Sequence, residues 1–126
     1  MISQILDKLY VGDVNWSDEE LEERHIWHIL NVSGVDIQTT RRHTHIHLTD
    51  DGHNSQTDFS TILSILEDEL RHGWSTLVCC RAGMSRSVFI CILWLERMGM
   101  SRDEAYAFIK QRHPIAQVNP ELWRSM

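Results

Sequence analysis

The feature that most constrains this fold is an eight-residue run, residues 88–95, in which every side chain is apolar. A helix that is apolar on all sides has to be buried at the centre of a soluble protein. The run ends near Gly99, and we expect its Cys91, Trp94 and Met98 to lie in the core. The rest of the chain must therefore pack around this helix.

Hydrophobic periodicity divides the remaining sequence into alternating strands and helices. The apolar run 26–32 is typical of a strand that is buried on both faces, as in parallel sheets. Apolar residues recur every three or four positions in 57–72, which indicates an amphipathic helix. The predicted strands are 9–12, 26–32, 43–49 and 75–79, and the other predicted helices are 17–24, 57–72 and 101–113. This alternation predicts a layered α/β fold with a largely parallel sheet.

Length and composition predict one domain covering residues 1–126. The 126 residues are 42% apolar, which suffices for one core. With 12 Lys and Arg against 18 Asp and Glu, the net charge of −6 argues against nucleic-acid binding. We expect neither a leader nor a membrane segment. The odd count of three cysteines favours a reducing, cytoplasmic location over a disulfide framework.

The segment 80–87, Cys-Arg-Ala-Gly-Met-Ser-Arg-Ser, joins a buried strand to the amino end of the buried helix. Ligands of α/β sheets bind at such junctions. Small residues let the backbone curl so that its N–H groups converge at the positive end of the helix dipole. We call residues 81–86 the cradle loop; the predicted anion-binding residues are Arg81, Ala82, Gly83, Met84, Ser85 and Arg86. Cys80 lies at its floor, where the helix terminus favours a nucleophilic thiolate.

Arg86 and three further side chains are candidates for the chemistry of this site. Arg86 can hold two oxygens of a tetrahedral oxyanion. Ser87 can donate its hydroxyl to the sulfur, although it could simply cap the helix. A general acid is expected from the loop that follows the third predicted strand; Asp50 is favoured, with Asp51 as the alternative, unless both only form the turn.

These segments resemble those of the dual-specificity protein phosphatases, a compact branch of the cysteine-dependent protein tyrosine phosphatases. The likeness covers nearly the whole chain and is carried by residues 9–12, 31–33, 46–51 and 80–87. It implies a five-stranded mixed sheet in three layers, flanked by helices. It also implies hydrolysis of phosphorylated proteins through a phosphocysteine, without a metal or another cofactor. Cys80 would be the nucleophile, Arg86 the phosphate clamp, Asp50 the acid and base, and Ser87 the aid to thiolate departure.

The sequence departs from this family at two places. Cys79 stands where the family normally has a histidine that orients the loop, so we expect the thiol of residue 80 to ionise less readily than is usual. Residues 118–123 follow the family's Pro-Asn segment only loosely, and Asn119 either supports the active-site loops or caps the last helix.

The resemblance implies a shallow pocket open to phosphotyrosine and to phosphoserine or phosphothreonine. We expect a monomer.

Four alternatives stay open at this point. The histidines at 43, 45 and 47 could form a metal site, but a solvated sheet edge explains them better. A rhodanese-like sulfurtransferase shares the start of the cradle loop, yet its shorter spacing would require an arginine at Ser85. A pseudophosphatase that binds phosphorylated partners without cleaving them is favoured mildly by Cys79. Phosphatases of RNA 5′ ends or phosphoinositides are disfavoured by the net acidity.

Overall fold

The computed structural model describes all 126 residues as a five-stranded sheet with five helices. Its elements in chain order are β1 (Ile2–Leu6), β2 (Leu9–Gly12), α1 (Asp18–Glu23), β3 (His28–Asn31), β4 (Arg42–His45), α2 (Gln56–Arg71), β5 (Thr76–Cys79), α3 (Arg86–Arg97), α4 (Arg102–Arg112) and α5 (Pro120–Trp123). None of the helices has both the length and the hydropathy to cross a bilayer.

The strands run in the spatial order β1-β2-β5-β3-β4. Only β1 is antiparallel to its neighbour, so the sheet is mixed and mostly parallel. In the parallel part Gly12, Asn31 and Cys79 stand in register at the carboxyl ends of β2, β3 and β5. The expected five-stranded mixed sheet is therefore confirmed, and the loops after these strands meet at one edge.

Helix α3 is the centre of the molecule. Its residues 87–95 are all buried, and residues 88–95 share one large hydrophobic cluster with side chains of α2, α4 and α5. A smaller cluster on the other face of the sheet includes Leu21 of α1. The sheet thus has four helices on one face and one short helix on the other. Met98 is not in the core: it caps the end of α3, beyond the sheet, and is 64% exposed.

Two sequence expectations differ from the structure. The N-terminal strand β1 was not predicted; it pairs with β2 through a turn at Asp7 and Lys8. The strand expected over 43–49 covers only Arg42–His45. Beyond β4 the chain stays extended enough for the amides of Ile46 and Leu48 to donate to the carbonyls of Asn31, which ends β3, and of Val32. This extension carries the chain towards the edge where β5 ends.

Candidate active site

Cys80 follows β5 at the carboxyl edge of the sheet and is 2% exposed. Its amide donates to the carbonyl of Gly12 over 3.2 Å, which ties the start of the cradle loop to the end of β2. Its Sγ lies 3.1 Å from Oγ of Ser87, in the first turn of α3. The same hydroxyl is 3.5 Å from the Gly12 carbonyl oxygen. When the sulfur is a thiolate it can only accept, so Ser87 is then the donor.

Gly83 gives the cradle loop its tight curl. It has a φ of +69°, a left-handed conformation that favours glycine. A Cβ on this residue would lie 2.8 Å from the carbonyl carbon of Gly12 and from the amide nitrogen of Asp13. The loop can therefore rest on the end of β2 only because residue 83 has no side chain.

The carbonyl groups of the loop are held by the segment that follows α4. His113 Nε2 donates to the Gly83 carbonyl over 2.6 Å, and the amide of Gln117 donates to the Met84 carbonyl over 2.8 Å. By contrast, none of the amides of residues 81–86 donates a hydrogen bond within the protein. Six N–H groups at the amino end of α3 are thus left for a ligand, as at other anion sites.

The loop surrounds a cavity of about 240 Å³. One Arg86 nitrogen, Nη1, donates to the Leu48 carbonyl over 2.9 Å, which fixes the guanidinium and leaves its other N–H groups available. The cavity is lined by Asp50, Cys80, Arg81, Ala82, Met84, Ser85, Arg86 and Gln117. A sulfur nucleophile, a cation and a carboxylate therefore share one small space.

Asp50 reaches this cavity through a hydrogen-bond network. Ser85 Oγ donates to Asp50 Oδ1 over 2.6 Å, and Asn119 Nδ2 donates to the Asp50 backbone carbonyl over 2.6 Å. The Asn119 amide also donates to Ser85 Oγ over 2.9 Å. Asn119 caps α5 as well, since its Oδ1 accepts from the amide of Glu121. It thus fills both of the roles that the sequence left open.

Asp51 is occupied by its own turn and does not line the cavity. Its Oδ1 accepts from the Thr49 hydroxyl over 2.7 Å and from the His53 amide over 2.8 Å. These bonds hold the pKa of the Asp51 carboxyl below its usual value. Of the two aspartates, only Asp50 is brought to Cys80 and Arg86.

Cys79 faces the other side of the sheet, because neighbouring residues of a strand point in opposite directions. Its side chain belongs to the cluster that contains Leu21, whereas Cys80 belongs to the large cluster around α3. Burial raises the pKa of the Cys79 thiol to about 12. Cys79 is therefore a neutral core side chain at ordinary pH and does not contact the cavity.

The histidines of β4 bind each other and the backbone. The rings of His43 and His45 stack with their centroids 6.0 Å apart, and His45 Nε2 lies 2.6 Å from the Ser33 carbonyl oxygen. No three metal-ligating side chains converge anywhere in the chain. His113, in contrast, contacts the cradle loop and was not singled out from the sequence. The contact spans thirty residues, and a histidine before a proline carries no local signal for it.

Comparison with known proteins agrees with this geometry. The family model described as "Dual specificity phosphatase, catalytic domain" matches residues 9–126. Dual specificity protein phosphatase 5 of Rattus norvegicus is 31% identical in an alignment of 123 residues that covers 92% of this chain and 32% of that protein. Dual specificity phosphatase 28 of Homo sapiens is 36% identical over 62 residues, 48% of this chain and 35% of the relative. The chain thus spans about a third of the length of these relatives.

Solved structures show the same fold. The crystal structure of human DUSP28 superposes with a TM-score of 0.88 at 23% identity, covering 98% of this chain and 91% of that one. A mouse putative dual specificity phosphatase, crystallised with zinc tungstate, gives 0.88 at 26% identity and covers 98% and 82%. With a family model that matches all but the first eight residues, the chain belongs to the dual specificity phosphatase family.

Proposed function

We propose that this chain hydrolyses phosphate monoesters of phosphorylated proteins, on tyrosine and on serine or threonine, through a phosphocysteine. The observation that carries the proposal is that Cys80, Arg86 and other residues of the cradle loop line one cavity, while the amides of residues 81–86 have no acceptor within the protein. Several hydrogen-bond donors stabilise a tetrahedral dianion, and a positive charge offsets the repulsion between it and a neighbouring thiolate. Family membership favours this activity over sulfur transfer.

The proposed reaction has two steps. In the first, Cys80 Sγ attacks phosphorus, the bond from phosphorus to the ester oxygen breaks, and Asp50 protonates the leaving oxygen. In the second, Asp50 takes a proton from water as the water oxygen attacks phosphorus. The sulfur then leaves as a thiolate, which the Ser87 hydroxyl stabilises at 3.1 Å. Inorganic phosphate is released carrying the remaining proton of the water, and Asp50 and Cys80 are back in the protonation states from which the reaction began.

We also propose that the pocket accepts both kinds of phosphorylated residue. Asp50 and Arg81 at its rim are exposed. A phosphoserine is shorter than a phosphotyrosine, so it reaches a buried sulfur only where the surrounding walls are low. The single catalytic domain, the monomeric state and the reducing compartment expected from the sequence remain part of this proposal. The three buried, unpaired cysteines support the last of these.

Hydrolysis of p-nitrophenyl phosphate and of phosphopeptides tests the proposal. Native protein should turn over both, and Cys80→Ser should abolish turnover while still binding phosphate. Cys91→Ser is the matched control, because Cys91 is buried in α3 and does not line the cavity. Phosphopeptide binding without any turnover by the native chain would instead identify a phosphate-binding pseudophosphatase. Thiosulfate turnover without phosphatase activity would revive the sulfurtransferase.

A further inference from the structure

His113 is fully buried at the end of α4 and connects two parts of the fold that are distant in sequence. One ring nitrogen, Nε2, lies 2.6 Å from the Gly83 carbonyl oxygen, and the other, Nδ1, lies 2.6 Å from Oγ of Ser3 in β1. A carbonyl oxygen can only accept, so Nε2 must carry a proton. The Ser3 hydroxyl can donate to Nδ1 of the neutral ring, and this bond selects the tautomer that is protonated at Nε2.

The ring bond sets the direction of one peptide group in the cradle loop. In a trans peptide the C=O and the following N–H point in opposite directions. Because the Gly83 carbonyl points at His113, the Met84 amide points away from it, and Met84 lines the cavity. The Gln117 amide engages the next carbonyl, that of Met84, in the same way. Two consecutive amides are thereby turned away from the segment 113–117.

The imidazole is not needed to end helix α4. The backbone amide of His113 already donates to the Ile109 carbonyl, and that bond would form with any residue except proline at this position. Both ring nitrogens are instead directed at groups outside α4. On the far side of the loop, Gly83 rests on the end of β2. The peptide after Gly83 is therefore held between β2 and His113.

We infer that His113 is a positioning residue for this reaction: its Nε2–H holds the Gly83–Met84 peptide so that the Met84 amide faces the phosphoryl group. Ser3 keeps the ring in the tautomer that this requires. The inference rests on the proposed function, since it assumes that the cavity takes a phosphoryl group. It makes the strand β1, through Ser3, part of the support of the active site.

Two amide substitutions separate the hydrogen bond from the bulk of the ring. In His113→Gln the side-chain nitrogen can occupy the position of Nε2, whereas in His113→Asn it is one carbon shorter and corresponds to Nδ1. The readouts are the dissociation constant for inorganic phosphate and the rate of Cys80 alkylation by iodoacetate relative to neutral iodoacetamide. We expect His113→Asn to weaken phosphate binding about tenfold, as for one buried hydrogen bond, with His113→Gln within roughly threefold of native. The ratio of the alkylation rate with iodoacetate to that with iodoacetamide should also fall most in His113→Asn and least in His113→Gln.

His28→Gln is the control for loss of a buried histidine. His28 is also fully buried, but it lies at the other end of the sheet and bonds to Thr44. This variant should lower the free energy of unfolding without changing phosphate affinity. Equal phosphate affinities for native protein, His113→Gln and His113→Asn would overturn the inference. If His113→Asn does not fold, Ser3→Ala tests the inference instead. This variant should bind phosphate about two- to fivefold more weakly, as for loss of one ordinary hydrogen bond. An unchanged phosphate affinity of Ser3→Ala would overturn the inference.

These readouts do not require turnover. Native protein that binds phosphate and reacts with iodoacetate but hydrolyses no ester would refute the proposed function, while the two amide variants would still report on the cradle loop. Native protein that hydrolyses esters, with His113→Asn equal to it in both binding and kcat/KM, would refute only the role of His113. A loss confined to the free energy of unfolding would likewise assign His113 to stability alone and overturn the inference.

Discussion

Substituting asparagine for Asp50 and for Asp51, one at a time, tests which of the two carboxyl groups is the general acid. Asp50 Oδ1 lies at the cavity and accepts from Ser85, so its second oxygen can carry the proton that a leaving group needs. Asp51 is held ionised, because Thr49 and the His53 amide bind its carboxylate and lower its pKa. A carboxylate with a lowered pKa is a poor proton donor.

The expected magnitude follows from what protonation contributes to the barrier. General acid catalysis contributes about 10²–10⁴-fold, so Asp50→Asn should reduce kcat/KM for phosphoserine peptides by roughly that factor. For p-nitrophenyl phosphate, whose leaving group departs readily without a proton, the loss should be about tenfold or less. Asp51→Asn should weaken the turn that contains Thr49 and leave both rates within roughly threefold, since the substituted side chain does not line the cavity.

The assay is kcat/KM for aryl phosphates of increasing leaving-group basicity, measured for both variants at equal folded fraction. Asp50→Asn should make log(kcat/KM) fall more steeply with leaving-group basicity than it does in native protein. For Asp51→Asn the slope should equal that of native protein. A steeper dependence for Asp51→Asn alone would transfer the acid to Asp51. Parallel lines for both variants would mean that neither carboxyl protonates the leaving group, and the reasoning from cavity geometry would fail.

Three further outcomes are expected. Gly83→Ala should lower both kcat/KM and the free energy of unfolding, because an alanine in the left-handed conformation is strained and its Cβ would meet Gly12. The free energy of unfolding should fall by about 1–3 kcal/mol. Thermal unfolding and the turnover of p-nitrophenyl phosphate check this. Mass spectrometry after iodoacetate treatment should find one modified cysteine, Cys80, since burial keeps the other two as thiols with raised pKa. Burial lowers the pKa of His28 from 6.5 to about 4, so the unfolded chain binds the extra proton. The contribution of His28 to stability should fall by about 1–3 kcal/mol as pH drops from about 6.5 to about 4, and His28→Gln should reduce the slope of stability against pH in urea titrations.

The parts of the fold that were predicted correctly are those with strong local signals. The apolar run of α3 and the strand before it are compatible with few other structures. Once these two elements are placed, the position of the cradle loop between them is fixed. Strand β1 was missed because its hairpin turn uses Lys8 at a φ of +70°, where a two-residue turn usually has glycine or asparagine. Its alternation is also short, with Ile2 and Ile5 buried three residues apart across an irregular register. Nothing in residues 1–8 marks them as a strand.

The residues of the candidate site also differ in whether a local sequence signal predicts them. Cys80 directly precedes the cradle loop and Arg86 ends it, so their spacing alone predicts that they face the same ligand. The choice between Asp50 and Asp51 depends on which carboxyl the turn uses, and this becomes visible only when hydrogen bonds can be read. The contact of His113 with Gly83 depends on where α4 ends relative to the sheet. No pattern within the sequence encodes that distance.

The supports of the cradle loop come from three separated parts of the chain. Gly12 ends β2, Leu48 precedes the loop 49–54, and the segment 113–119 follows α4. Each of them binds a group of the candidate site through its backbone or a buried side chain. An N–H group without a partner is costly inside a protein, so six unpaired amides can persist only where an anion or water completes them and where the neighbouring carbonyls are held elsewhere. The cost of orienting these amides is therefore met during folding. For the proposed reaction, this means that amides able to stabilise the transition state are present before the phosphoryl group binds.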